Sequence, residues 1–170
     1  KQKMMSKNIN KNIEKSWVLT DRQLCDLELI LNSGFYPLKT FLNKKDYNSV
    51  LNKMRLSNGS IWTVPINLDV TSQFVKSLSL GERIILKDSE GFSIASMIIS
   101  EFWKPDLKVE AKLLYNTVDQ THPGVHYLMN RTNDYYITGK LQLIKEPTHY
   151  DYSQIRHSPK KIKSIFAKLG

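Results

Sequence analysis

The residues with the clearest metal-binding spacing are Asp119, His122 and His126. Two imidazoles four residues apart share one face of a helix, and a nearby carboxylate would add a third Zn²⁺ ligand. Pro123 and Gly124 lie between the two histidines, however, and interrupt a regular helix. We therefore interpret this segment as a proline turn with a helix cap, and we expect no metal site.

Two further segments contain residue types that bind anions. The QIRH tetrapeptide at 154–157 has an arginine, whose guanidinium donates in a fixed geometry to a tetrahedral anion. Ser158 and Pro159 directly after it predict a helix start. Gly81 and Gly91 flank a strand, whereas a phosphate-binding loop needs clustered glycines before a helix. We interpret these two glycines as hairpin residues.

An aromatic and basic group near the C-terminus is a candidate for stacking nucleic-acid bases. It consists of Tyr127, Tyr135, Tyr136, Tyr150 and Tyr152 with Arg131 and Lys140. Tyrosines of this kind more often serve the core and interfaces. The net charge of +9 also comes entirely from the two ends, +4 from residues 1–15 and +5 from residues 153–170. Because the body between them balances at zero, we expect no nucleic-acid partner.

Cys25 is the single cysteine, so a disulfide within the chain is impossible. We predict that it is a buried, reduced thiol on the apolar side of the first helix, which is typical of a cytoplasmic protein. A nucleophilic role is the alternative, but acids flank Cys25 and no His or Lys is nearby in sequence. No apolar run is long enough to cross a bilayer, and we expect no membrane partner.

These residues must be positioned by an α+β fold. Thr20 and Gln23 form a predicted capping box for a first helix whose apolar face carries Leu24, Leu27 and Leu31. We expect Gly34 to end that helix in a left-handed conformation.

An apolar loop follows this helix, and such loops usually bury themselves against the protein body or a neighbour. We predict that Phe35, Pro37, Leu38 and Phe41 form an apolar contact surface.

Later elements are predicted from caps, turns and periodicity. They are a helix capped by Asn43 with Tyr47, Val50, Leu51 and Met54 on one face, a strand over 61–70 containing Pro65, a short helix after Thr71, a hairpin of 81–88 and 92–103, an ambiguous segment over 107–115, a helical turn over 125–129, a strand over 134–144, and a final helix from Ser158 with Ile162, Ile165, Phe166 and Leu169 on one stripe.

Several of these segments together resemble the N-terminal domain of the ATP sulfurylase (sulfate adenylyltransferase) family. They are RQLCDLELI and GFYPLKTFLNKKDYNSVLNKMRL, then IWTVPINLDV, THPGVHYL, YYITGKLQLI and YDYSQIRHSPKKIKSIF, which together cover about residues 17–170. Ser33 stands where the family has a turn glycine, and Thr40-Phe41 stands where it has Gly-Phe. The resemblance assigns 107–115 to a helix.

The resemblance implies a PUA-like β pseudobarrel with flanking helices. It divides the chain into a flexible basic tail (1–15), the PUA-like domain (16–157) and a helix (158–170) leading toward a catalytic domain that this chain lacks. The family's anion-binding motif is Gln-x-Arg-Asn followed by His-x-x-His. Here His157 replaces the Asn and no His-x-x-His follows, so we do not transfer the catalytic role to Arg156.

The expected function is therefore that of a non-catalytic N-terminal module in cytoplasmic sulfur metabolism. In the family, sulfate joins the α-phosphate of ATP to give adenylyl sulfate and pyrophosphate. The resemblance implies that ATP and Mg²⁺ belong to the parent enzyme and that this domain holds no catalytic, cofactor or metal residue. It implies the catalytic domain of the parent chain as a partner, and it allows a homo-oligomer. The alternatives are a free-standing PUA-like RNA-binding module and a small enzyme built around His122 and His126.

Overall fold

A five-stranded mixed sheet curls into a half-barrel at the centre of the molecule. The computed structural model describes residues 14–152 and 154–170. The strands are β1 (Ser16–Val18), β2 (Leu68–Val70), β3 (Arg83–Lys87), β4 (Ser93–Trp103) and β5 (Tyr135–Leu143). They lie in the order β1-β3-β4-β5-β2; β1 pairs with β3 in parallel, and the other pairs are antiparallel.

Six helices flank the sheet within the described residues. They are α1 (Asp21–Leu31), α2 (Lys44–Lys53), α3 (Ser72–Lys76), α4 (Leu107–Tyr115), α5 (Pro123–Asn130) and α6 (Pro159–Leu169). Each helix begins after a residue whose side chain accepts from a first-turn amide: Thr20, Asn43, Thr71, Asp106, His122 and Ser158. Each of these cap residues has an extended backbone, from which its polar side chain satisfies amides that a helix start leaves unpaired. The α+β class is confirmed.

The start of α1 confirms the predicted capping box. The Thr20 hydroxyl accepts from the Gln23 amide at 3.3 Å, and Gln23 Oε1 accepts from the Thr20 amide at 3.1 Å. The prediction for Gly34 is wrong, because Ser33 is the residue with positive φ, at 65°. A Cβ at Gly34 would lie 2.7 Å from Leu29 Cδ2, which is the end of a side chain that can move, so the space around this position does not by itself demand glycine.

Cys25 is exposed, so the predicted buried thiol is wrong. The buried face of α1 carries Gln23, Leu27 and Ile30. Cys25 lies two residues from both Gln23 and Leu27, and residues two apart on a helix do not share a face. Gln23 thus occupies a buried position at which hydrophobicity alone predicts an apolar residue.

Two other expectations about α2 and the segment after it need correction. Met54 is not on the apolar face of α2; it is the left-handed C-cap, with φ of 52°, and 61% of it is exposed. The strand predicted over 61–70 is reduced to Leu68–Val70, with one isolated bridge between Ile61 and Arg55. Pro65 has no amide to donate to a ladder, which favours irregular backbone before β2.

The later elements agree closely with the sequence. The β3–β4 hairpin, the helix over 107–115 and the last strand are confirmed. The helical turn predicted over 125–129 is longer, at Pro123–Asn130, because proline is well suited to the first helical position. β1 was not predicted. It falls just beyond the predicted flexible tail, whose residues 1–13 lie outside the described part of the chain.

Two apolar clusters fill the half-barrel. The larger lies between the sheet and α1 and includes Leu27, Phe41, Leu68, Ile84 and Ile137. The second joins α2 to the sheet and includes Leu38, Tyr47, Val50, Trp103 and Tyr136. Phe35 packs against both clusters, so the loop after α1 connects the two halves of the core.

Candidate functional site

The loop predicted as an apolar contact surface is partly used inside the domain. Phe41 is fully buried and Leu38 is 8% exposed, so neither is available to a partner, and the prediction is wrong for these two residues. The reason is that the loop is fastened to β5. Thr40 Oγ1 donates to the Gly139 carbonyl, and Thr138 Oγ1 donates to the Phe41 carbonyl, each at 2.5 Å.

The outward side of the same loop carries an aromatic residue that sequence reasoning missed. Tyr36 is 71% exposed, while Phe35 and Pro37 are half-buried beside it. A contact of Phe35 and Pro37 with another domain stays a prediction. Tyr36 already has a neighbour in this chain, because Lys163 Nζ of α6 lies 5.1 Å from its ring centroid.

Helix α6 confirms the predicted element and presents its apolar stripe outward. Ile162, Phe166 and Leu169 are 36%, 65% and 78% exposed. Lysines 160, 161, 163 and 168 accompany this stripe, and α6 contains no acidic residue. We call Tyr36, Ile162, Lys163, Phe166 and Leu169 the α6 surface. Aromatic and aliphatic side chains with lysines at their edge are suited to an apolar partner that has an acidic rim.

Among the described residues, the QIRH segment does not form an anion-binding site. Arg156 Nη2 faces the Glu28 carboxylate of α1 at 3.9 Å, and His149 Nε2 lies 2.8 and 2.9 Å from the two oxygens of Glu28. A cavity of about 470 Å³ separates this segment from α1; Cys25, Leu29 and Pro147 are among its lining residues. Gln154 and His157 are exposed.

The Asp119–His126 segment is the predicted turn with a cap. His122 Nδ1 accepts from the amides of Gly124 and Val125 at 3.1 and 3.4 Å, and Pro123 occupies the first turn of α5. This imidazole therefore caps the N-terminus of α5. Among the described residues, no group of three or more His, Cys, Asp or Glu side chains is arranged to hold a metal ion.

The tyrosines predicted as core and interface residues differ widely in burial. Tyr136 is 2% exposed, whereas Tyr150 and Tyr152 are 86% and 79% exposed. The Tyr136 hydroxyl donates to Glu110 Oε2 at 2.8 Å. Burial raises the pKa of the Glu110 carboxyl, although the hydrogen bonds from Tyr136 and Tyr47 oppose that rise.

A second buried carboxylate organises the contact between α1 and β2. Asp69 accepts from Arg22 Nη2 at 2.6 Å, from Gln23 Nε2 at 2.8 Å, and from the Asn133 amide and Nδ2 at 2.9 Å. Arg22 also donates to the Tyr127 hydroxyl at 3.1 Å. This network was not predicted, although an aspartate inside the apolar run Leu68–Val70 was the available signal. Its geometry is that of a structural cross-link, since protein donors occupy both carboxylate oxygens.

None of the described helices combines the length and the hydropathy that a membrane crossing requires.

Comparison with known proteins gives two independent results. The family model for the PUA-like domain matches residues 1–146. A hexameric APS kinase from Thiobacillus denitrificans has a similar structure, with a TM-score of 0.68 and 22% identity, covering 92% of this chain and 26% of that one. At this identity the structural likeness concerns the fold alone, and the PUA-like fold is confirmed.

Similar sequences include several fungal sulfate adenylyltransferases. The enzymes of Eremothecium gossypii and Kluyveromyces lactis are 47% and 46% identical over 151 residues, and that of Saccharomyces cerevisiae is 43% identical over 150. These alignments cover 88–89% of this chain, which spans only about 30% of the length of each relative. The chain therefore belongs to the PUA-like domain family and is similar to the N-terminal region of fungal sulfate adenylyltransferases.

Proposed function

We propose that this chain is the non-catalytic N-terminal module of a sulfate adenylyltransferase that works in cytoplasmic sulfur metabolism. The identity of 42–47% to these enzymes over about nine-tenths of the chain carries the proposal. The parent enzyme would join ATP and sulfate to give adenylyl sulfate and pyrophosphate, with ATP and Mg²⁺ bound outside this module. An RNA-binding module is not favoured, because the similar proteins are sulfate adenylyltransferases.

The use of the candidate chemical groups inside the module supports a structural role. His122 starts a helix, Arg156 faces Glu28, and Glu110 is buried between two tyrosines. Each group thus has a partner within the domain. Catalysis of adenylyl transfer needs donors that converge on the anionic substrates and are free to bind them.

We propose the catalytic domain of the parent chain as the partner of the α6 surface. Phe166 is two-thirds exposed on a helix that follows the half-barrel, and lysines surround it. Burying one such aromatic ring in an interface contributes substantially to binding. A parent homo-oligomer is also proposed, and the hexameric state of the structurally similar APS kinase supports it.

The first test measures pyrophosphate release by the purified chain with ATP, Mg²⁺ and sulfate. We expect no sulfate-dependent turnover, and turnover by the pure chain would contradict a non-catalytic role. The second test replaces the matching region of the Saccharomyces cerevisiae enzyme with this chain. The chimera should be active, and an inactive but folded chimera would argue against the assignment.

The partner of the α6 surface is tested in the same chimera. Phe166→Asp should reduce activity or thermal stability of the chimera while leaving the isolated module stable. Phe92→Asp is the matched control, because Phe92 is a similarly exposed phenylalanine at the β3–β4 turn. Equal effects of the two substitutions would contradict this partner assignment.

A further inference from the structure

The described residues between β5 and α6 lie beside α1 and do not belong to the clusters of the barrel core. We call the described residues 146–152 and 154–157 the strap. All side chains of the strap are exposed except Pro147 and His149, which are half-buried. The strap therefore contributes little to the apolar core, and its position must depend on other contacts.

The space under the strap is open. The cavity of about 470 Å³ lies between the strap and the outer face of α1, and its walls include Leu29, Leu143 and Pro147. A well-packed segment would fill such a volume with side chains. Since the strap bridges the cavity, moving it away from α1 would break few apolar contacts.

One carboxylate holds the strap at two positions. Glu28 Oε1 and Oε2 lie 2.8 and 2.9 Å from His149 Nε2, and Glu28 Oε1 lies 3.9 Å from Arg156 Nη2. The side chains of Glu28, His149 and Arg156 are 22%, 32% and 49% exposed. Contacts with this much exposure are weak, and the Arg156–Glu28 ion pair is also screened by salt.

Helix α6 is likewise held by few contacts with the rest of the domain. Lys163 Nζ donates to the Ser33 carbonyl at 3.3 Å and lies over the Tyr36 ring. An isolated helix of 11 residues is only marginally stable in water, so α6 depends on the contacts that hold it. The strap is the covalent link to α6, and its attachment limits where the helix can lie.

We propose that Glu28 is the fixed half of a latch, which holds the strap against α1 and thereby keeps α6 against the loop after α1, and that strap and helix are released together when the contacts of Glu28 with His149 and Arg156 are broken. Release leaves the half-barrel intact, because neither cluster of the barrel core includes strap residues. It separates Ile162, Lys163, Phe166 and Leu169 from Tyr36 and changes the direction in which these residues of α6 face. The latch is a property of this chain alone and does not depend on the identity of the parent enzyme.

The test is hydrogen–deuterium exchange of the whole chain, read separately for α6 and for β4 and β5. Glu28→Gln removes the charge and keeps the size of the side chain. We expect exchange in α6 to become about three- to tenfold faster, with β4 and β5 unchanged, because an exposed ion pair affects local opening more than global unfolding. Glu90→Gln in the exposed β3–β4 turn is the matched control and should leave α6 unchanged.

A second variant acts from the strap side, where substitution does not affect the barrel. His149→Gln should accelerate α6 exchange as Glu28→Gln does. The double variant should add little to Glu28→Gln, since that substitution already weakens the contact with His149. In the unmodified chain, raising NaCl from 0.05 to 0.5 M should also accelerate α6 exchange, and Glu28→Gln should reduce this salt effect. The latch is refuted if neither His149→Gln nor added NaCl changes the exchange of α6. This result is decisive even if Glu28→Gln disturbs the whole fold.

Discussion

The Tyr136 hydroxyl donates a 2.8 Å hydrogen bond to Glu110 Oε2, the same oxygen that accepts from Tyr47 at 2.9 Å. Glu110 is 4% exposed, so α4 brings a carboxyl into the interior between two aromatic rings. Burial disfavours the charged form and raises the pKa of Glu110, and the two hydroxyl donors offset only part of that effect. Folding therefore favours the protonated carboxyl.

This pKa shift predicts a pH dependence of the free energy of unfolding. A raised pKa in the folded state gives a contribution that is complete below the unfolded pKa, about 4.5, and is lost as pH rises through the folded pKa. Glu110→Gln keeps the acceptor oxygen but cannot ionise. We expect it to gain stability relative to the unmodified chain between pH 4 and 8, measured by urea unfolding at each pH. Glu146→Gln, at an exposed position, is the control. A pH profile of Glu110→Gln that runs parallel to that of the unmodified chain would contradict the prediction.

Asp69→Ala should be strongly destabilising. The substitution removes the acceptor shared by Arg22, Gln23 and Asn133 and leaves buried donors unpaired. Breaking one side of such a network costs about 3 kcal/mol. Asp69→Asn should cost less, because it keeps one acceptor oxygen. Chemical denaturation measures both, with Asp134→Ala as an exposed control; similar losses at Asp69 and Asp134 would rule out a structural cross-link.

Gly139→Ala should disrupt the pairing of β4 and β5. A Cβ at position 139 would lie 2.0 Å from the Ile98 carbonyl oxygen and 3.0 Å from Ile99 Cα, which are backbone atoms that cannot rotate away. We expect a loss of about 3 kcal/mol in unfolding free energy. Lys140→Ala, at the exposed neighbouring position, should change it by less than about 0.5 kcal/mol. Thermal unfolding of the two variants measures the difference. A melting temperature of Gly139→Ala close to that of Lys140→Ala would mean that β4 and β5 accommodate the Cβ at little cost, which would contradict the prediction.

Met54→Gly should stabilise the chain. Met54 has φ of 52° at the end of α2, and its exposed side chain contributes little packing. Glycine adopts this left-handed conformation without the steric cost of a Cβ, so we expect a gain of about 0.5 kcal/mol. Met54→Ala keeps a Cβ and is the control. A melting temperature that rises equally in both variants would assign the gain to loss of the methionine side chain.

The features predicted correctly from sequence are those set by neighbours along the chain. Thr20 with Gln23, and Asn43 with Asp46, are three residues apart, and their spacing alone identifies the helix starts. The resemblance to a known family supplied the pseudobarrel, which local patterns do not specify.

The buried carboxylates could not be predicted in this way, because their partners are distant in sequence. Asp69 and Gln23 are separated by 46 residues, and Glu110 and Tyr47 by 63. Cys25 was misplaced for a related reason: burial of the polar Gln23 depends on Asp69, and it moves the buried face of α1 away from Cys25.

Both outer strands of the sheet, β1 and β2, are only three residues long. A long unpaired border would expose a row of amides and carbonyls on which another polypeptide could add a strand, and this is a common origin of aggregation. Beside β5, β2 covers only residues 135–137, and the loop after α1 covers the next part of this edge through hydrogen bonds from Thr40 to Gly139 and from Thr138 to Phe41. The two outer strands thus offer an added polypeptide only a short stretch of backbone to pair with, which leaves the side-chain surfaces of the module to determine how it associates.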